Sequence, residues 1–200
     1  MILSMAVLAS LMLAWTGFLF LLVHRHLAGF KTSHMATFAG AIFLAAPITE
    51  VASNQLYKLV TGHSLWIYHF MPIAQGDTSL AAPVIWSFFG VNLYLTWLYF
   101  HRLGLHQNHY LKAAVMGIEG PVWEITMNYL FVHLGYGFIA YYLPAELRHY
   151  SSVQAVTIYA LSGYVAAFML LRFRHLWGAK TAAVLYLLGF ASLFVISLWP

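Results

Sequence analysis

Cysteine is absent from the 200 residues. Disulfides, thiolate metal sites, iron–sulfur ligation and thiol nucleophiles are therefore excluded. Charge is nearly absent as well. Nine Lys or Arg and five Asp or Glu make 7% of the chain, against about 25% in an ordinary soluble domain. So little charge cannot cover a water-facing surface, which excludes a soluble enzyme, a nucleic-acid module and a disordered tail. A pI near 9.3 does not point to nucleic acid, because the positive excess is sparse. What is present is apolar: 62% hydrophobic residues and a mean hydropathy of +0.79. The composition predicts a polytopic membrane protein, with the lipid bilayer as its main partner.

A spanning helix needs about 20 mainly apolar residues. Six segments qualify: Met1–Val23, Met35–Tyr57, Leu80–Phe100, Leu111–His133, Ser151–Leu171 and Thr181–Trp199. The expected fold is all-α, a single transmembrane domain over 1–200 with six transmembrane helices. The first segment lacks a basic n-region and does not read as a cleaved signal peptide. Basic residues choose the orientation. Arg25, Lys31, Arg102, Lys112, Arg172, Arg174 and Lys180 fall in joints 1–2, 3–4 and 5–6. Those joints are expected in the cytoplasm and both termini outside. The two outer joints are long and rich in Trp, Tyr, Gly and Pro, and are expected along the membrane as lids or short interfacial helices.

The chain also contains an internal repeat. Pro47, Glu50, Asn54 and Leu56 recur as Pro121, Glu124, Asn128 and Leu130, 74 positions later. Thr78-Ser79 echoes Ser151-Ser152, Trp86 with Gly90 echoes Tyr159 with Gly163, and Trp66 through Pro72 echoes Phe138 through Pro144, with offsets from 72 to 74. The reading is a first helix and basic joint (1–34), a two-helix repeat at 37–104, a second at 111–178, and a last helix at 180–200. An even number of spans per unit gives a parallel repeat about an axis along the membrane normal.

Carboxylates inside a bilayer cost about 2.5–3.5 kcal/mol near the helix centre. Three Glu nevertheless lie in spanning segments. Glu50 and Glu124 have similar depth, and Asn54 and Asn128 share their faces at i+4. The Asn are expected to orient the carboxylates, and Pro47 and Pro121 to kink the helices into a recess. Two carboxylates meeting there would form an acid beside a base. Glu119 lies about 140° from Glu124 around an ideal helix and is a further intramembrane acid. The competing structural role for all three is a carboxyl hydrogen-bonded between helices. Asp77 is expected to be wet and to cap the next helix, with an outer-side relay role as the alternative. Glu146 reads as a surface residue.

Trp66, Tyr68, Trp86, Trp123, Tyr129 and Tyr159 are expected to line the recess, where π-faces suit a substrate that develops positive charge. In ordinary membrane helices such residues are packing or belt residues. His133 is a second relay candidate. Of the 11 histidines, His24 with His26 and His106 with His109 have ligand-like spacing, but His among Arg at helix ends more often contacts headgroups, so no metal or other cofactor is expected. Ser79, Ser151 and Ser152 read as helix caps.

Two resemblances follow from these motifs. Glu50 with Gly62 and Trp66-Ile67-Tyr68, and Trp123-Glu124 with Leu143-Pro144-Ala145-Glu146, resemble the duplicated helical domains of bacterial and fungal membrane lycopene cyclases and the small membrane terpene cyclases of fungal pathways. Those families use intramembrane acids to protonate a polyene or epoxide and then remove a proton. The lycopene-cyclase segment has Pro followed by paired acids, whereas Pro47 to Glu50 and Pro144 to Glu146 each keep one. Thr78-Ser79-Leu80, Ile85-Trp86, Gly90 and Trp123-Glu124 are similar to a family of small polytopic proteins labelled ABC-transporter type IV permeases. That likeness implies no activity. The leading expectation is a membrane-embedded acid–base enzyme acting on an apolar lipid, an isoprenoid above all, by protonation with cyclisation or isomerisation. The alternatives are a proton-coupled transporter or channel, which at this size would work as an oligomer, and a non-catalytic assembly protein.

Overall fold

The computed structural model describes residues 2–24, 30–104 and 108–199. Arg25, His26 and His106 lie outside the described residues. The chain is mostly helical, 74% by residue, in six helices. They are α1 (Ile2–Val23), α2 (Thr32–Thr61), α3 (Ala82–Arg102), α4 (His109–His133), α5 (Val153–Arg172) and α6 (Ala179–Ser197). Their positions follow the apolar runs, and their ends follow local chemistry. Asn108 caps α4 by accepting from the Leu111 N–H at 2.9 Å, and Ser152 caps α5. Gly62 ends α2 in the left-handed region, its N–H bonded to the Lys58 carbonyl, the αL geometry that glycine adopts without steric cost. α2 and α4 run through Pro47 and Pro121 as single helices.

Three helices, α1, α2 and α6, are long and apolar enough to cross a membrane. Large apolar side chains on α1 and α6, including Leu3, Leu21, Leu187 and Phe194, face outward, as they would toward lipid. α2 packs on α3 and α6, α1 on α3, and α4 on α5. Small residues permit the close approaches. A Cβ on Gly90 of α3 would lie 2.7 Å from the Ala39 Cα of α2, and one on Gly117 of α4 would lie 2.6 Å from the Ala160 Cα of α5.

The joints differ from the expected interfacial helices. Joint 2–3 forms β1 (Trp66–Tyr68), β2 (Pro72–Ile73), a 3-10 turn and β3 (Thr78–Ser79), and joint 4–5 forms β4 (Ala140–Tyr142). β2 pairs with β3, and β1 pairs antiparallel with β4, with Trp66 opposite Tyr142, Ile67 opposite Tyr141 and Tyr68 opposite Ala140. The reason lies in the backbone: two extended aromatic segments satisfy their N–H and C=O groups against each other. This strand pair ties the α2–α3 half to the α4–α5 half, so the fold is helical with a small β clasp.

Candidate functional site

Glu50 and Glu124 each sit inside a cage of three donors. The Glu50 carboxylate accepts from the hydroxyl of Tyr68 on β1, from Thr78 on β3 at 2.6 Å, and from the indole N–H of Trp86 on α3 at 3.2 Å. Glu124 accepts from Tyr142 on β4 at 2.6 Å, from Ser151 at 2.8 Å, and from Tyr159 on α5 at 2.7 Å. The donors of the second cage stand 74, 73 and 73 positions after those of the first. Hydrogen bonds to a charged group contribute about 1.5–3 kcal/mol each, which offsets much of the cost of burying a carboxylate.

Thr78, Tyr142 and Ser151 were not among the expected site residues. The Thr78-Ser79 and Ser151-Ser152 echo carried the signal, but both pairs read as caps. Ser152 does cap α5. Ser79 donates to the Phe70 carbonyl and accepts from the Ala81 N–H. Ser151 instead spends its hydroxyl on Glu124.

Asn54 and Asn128 do not bond to the carboxylates expected to be theirs. The Asn54 Oδ1 accepts from the Leu65 and Trp66 N–H groups, and its Nδ2 donates to the Trp66 carbonyl and, at 2.5 Å, to Asp77. Both residues are buried. They hold the joints onto α2 and α4, and so position the strands that carry Tyr68 and Tyr142. Asp77 is likewise neither wet nor the cap of α3. It is 3% exposed, takes bonds from Asn54 and from Gln55 at 2.6 Å, and offers its carbonyl to the Trp66 indole. Three donors from α2 and β1 account for its burial.

A small recess, about 20 Å³ in volume, lies between the two halves, room for about one water molecule. Tyr68, Trp86, Trp123, Glu124, Asn128 and Tyr159 are on its wall. Glu50 is behind Tyr68 and Trp86 rather than on the wall. Trp66 is turned to Asp77 and its ring lies tilted against that of Tyr142, with centroids 5.9 Å apart. Tyr129 and His133 are not brought to the recess: both are exposed, and their rings lie against each other at 3.9 Å. Glu119 stands apart from both cages, accepting from Thr96 on α3 at 2.9 Å. Glu146 is exposed, as expected.

Burial pushes the Tyr68 phenol well above the usual tyrosine range, and the charges of Glu50 and Glu124 push it further. Tyr142 is raised in the same way, by burial first and then by Glu124, with Glu50 adding less. Each phenol feels both carboxyls, and each remains a protonated donor. The site so defined lies in a mostly helical chain compatible with a membrane, and is built on two caged carboxyls joined by a strand pair. Comparisons with protein-family models, with curated proteins and with solved structures return no match.

Proposed function

We propose that this chain is a membrane-embedded acid–base enzyme acting on an apolar lipid of the isoprenoid class, with Glu124 as the carboxyl that meets the substrate. The observation that carries this reading is the wall of the recess: one caged carboxyl, two phenols and two indoles face a common space. The Trp123 indole N–H there has no partner among the described residues. In the proposed step Glu124 reacts as the protonated acid, giving its proton to a double-bond carbon, and Tyr142, Ser151 and Tyr159 stabilise the carboxylate left behind. The π electrons form the new C–H bond, and the cation left on the neighbouring carbon is held over Trp86, Trp123 and Tyr159. The cation then loses an adjacent proton to the carboxylate, either at once or after a second double bond has attacked it and closed a ring, and that proton restores the acid. Glu50 acts through Tyr68, and Asn54 and Asn128 hold the strands in place. A lipid is far larger than the recess, so it would reach Glu124 when the seam between α3 and α4 opens. Contacts across that seam are far sparser than those between α4 and α5.

The reading also takes the chain as six spans with both termini outside, and takes 37–104 and 111–178 as duplicated units. Supporting it, α3, α4 and α5 have 21, 25 and 20 residues, each enough for about 30 Å at 1.5 Å per residue. The recurring donors of the two cages support the duplication. Because the chain lacks cysteine, single cysteines at Lys58, Glu146 and His175 can be labelled cleanly. An impermeant maleimide should reach the first two from outside and the third only from inside; labelling of all three from one side would refute the topology.

Expression in a host that makes isoprenoids tests the chemistry. Wild type should change the extractable lipid profile, and Glu124→Gln should abolish the change while the protein still folds. Identical extracts from wild type and an empty vector would end the enzyme reading. The size of the recess favours a second reading, a proton-coupled carrier or channel in which the same carboxyls handle protons. Purified protein in liposomes should then show proton flux that Glu124→Gln removes, and flat traces would exclude it. A chain silent in both assays, yet destabilised by Glu124→Gln, is a structural or assembly protein.

A further inference from the structure

A second group of polar side chains lies deeper in the bundle, where α1, α3 and α4 meet. The Thr16 hydroxyl donates to the Asn92 Oδ1 at 2.9 Å, and the Thr96 hydroxyl donates to Glu119 at 2.9 Å. Each acceptor leaves something over. The Asn92 side chain is fully buried and its Nδ2 has no partner among the described residues, and the same is true of the buried Glu119 Oε1. A buried amide donor or carboxyl oxygen left unpaired costs about 1–3 kcal/mol, and buried polar groups in native proteins are nearly always satisfied. One such atom is an oddity. A spare donor and a spare acceptor at one helix junction are complementary.

Asn92 and Thr96 are one turn apart on the same face of α3, about 6 Å along the axis. Thr96 holds Glu119. A hydroxyl placed between Asn92 and Glu119 would make two hydrogen bonds in series. It can accept from the Asn92 amide and donate to the Glu119 oxygen at once. We propose that Asn92, Thr96 and Glu119, with Thr16 behind them, form a binding site for a single hydroxyl group, supplied by a water molecule or by the hydroxyl end of a lipid alcohol. This site does not depend on the chemistry assigned to Glu124. Trp123, on the recess wall, lies one turn from Glu119 on the same face of α4, so a guest here sits directly inward of the recess.

Water-edited solid-state NMR on labelled protein in liposomes tests it, in two arms. The Asn92 amide and Glu119 carboxyl signals are assigned by their loss in Asn92→Leu and Glu119→Gln. In the first arm, magnetisation is transferred from water; in the second, from farnesol carrying carbon-13 at its alcohol carbon. Transfer from water to both groups supports a water site, and transfer from farnesol supports a lipid-hydroxyl site. No transfer from either source overturns the proposal. Because the guest is shared, Asn92→Leu should also remove the transfer to Glu119, whereas Thr126→Val, on the same helix but outside the site, should keep it. Full transfer to Glu119 in Asn92→Leu would overturn the shared site. These readouts require no activity, so they stand or fall separately from the Glu124 chemistry.

Discussion

Asn128 repeats three of the four bonds of Asn54, 74 positions later in the chain, and replaces the fourth, to the Asp77 carboxylate, with one to a backbone carbonyl. Its Oδ1 accepts from the Ile139 and Ala140 N–H groups, and its Nδ2 donates to the Ala140 and Tyr150 carbonyls. In Asn54 the partners are Leu65, Trp66 and Asp77. Each Asn thus completes the hydrogen bonding of a buried joint that has no helix or broad sheet to satisfy it. The Ile67–Tyr141 pair lies at the centre of the β1–β4 register, so the two clamped joints meet in a self-complementary way.

Replacing either Asn with Leu should therefore be severe. Four bonds vanish and buried backbone groups are left unpaired, at about 1–3 kcal/mol each. Asn54→Leu or Asn128→Leu should cost about 3 kcal/mol or more in a detergent unfolding titration. Asn54→Asp should be no milder, because it loses the donor to Asp77 and sets two carboxylates together. A loss under about 0.5 kcal/mol, the range of an ordinary surface change, would show that the clamps are idle.

The raised phenols of Tyr68 and Tyr142 make stability sensitive to alkali. A tyrosine in the unfolded chain ionises near pH 10. The folded values are higher, so their contribution is complete below that pH and is lost as pH rises through the folded values. Unfolding free energy should fall between about pH 10 and pH 12, and the fall should be shallower in the Tyr68→Phe, Tyr142→Phe double variant. Phenolate absorbance should lag behind in the folded wild type. Equal slopes in the two proteins would contradict the burial of these phenols.

The helices and the recurring Pro-x-x-Glu-x-x-x-Asn motif were legible because each repeats locally along the chain. The joints were not. β1 and β4 have three residues each and pair across 72 to 76 positions, so neither shows a periodicity of its own. Matching Pro72 with Pro144 sets Trp66 against Phe138. The hydrogen bonds instead make Trp66 the counterpart of Ala140 and Tyr68 the counterpart of Tyr142, and only that alignment of the two units reveals Tyr142 as a cage donor. Asp77 looked wet because an acid in a loop usually is, but its burial depends on Asn54 and Gln55, which are more than 20 positions away.

Gly120 governs the approach of α5 to Glu124. A Cβ there would overlap the Tyr159 ring, whose hydroxyl donates to Glu124. Alanine gains about 1 kcal/mol of helix propensity over glycine, while overpacking costs about 1–3 kcal/mol. Gly120→Ala should be net destabilising and should displace the Tyr159 ring. Tyr159→Phe in that background should then cost less than in wild type. Additive losses in this double-mutant cycle would show that the two positions are independent.

Trp86 and Tyr159 fill matching places in the two cages with different donors, an indole N–H and a phenol O–H. If the donor is what the place requires, Trp86→Tyr should be milder than Trp86→Phe. The ring itself packs against Phe89 at 5.6 Å and against Tyr159 at 6.4 Å, and both replacements lose part of that packing. Only Trp86→Phe also leaves one Glu50 oxygen with Thr78 as its sole donor. The difference between the two variants should be about 1–3 kcal/mol in unfolding free energy, with Phe the worse. A phenylalanine variant as stable as the tyrosine variant would mean that the 3.2 Å indole contact contributes nothing to holding Glu50.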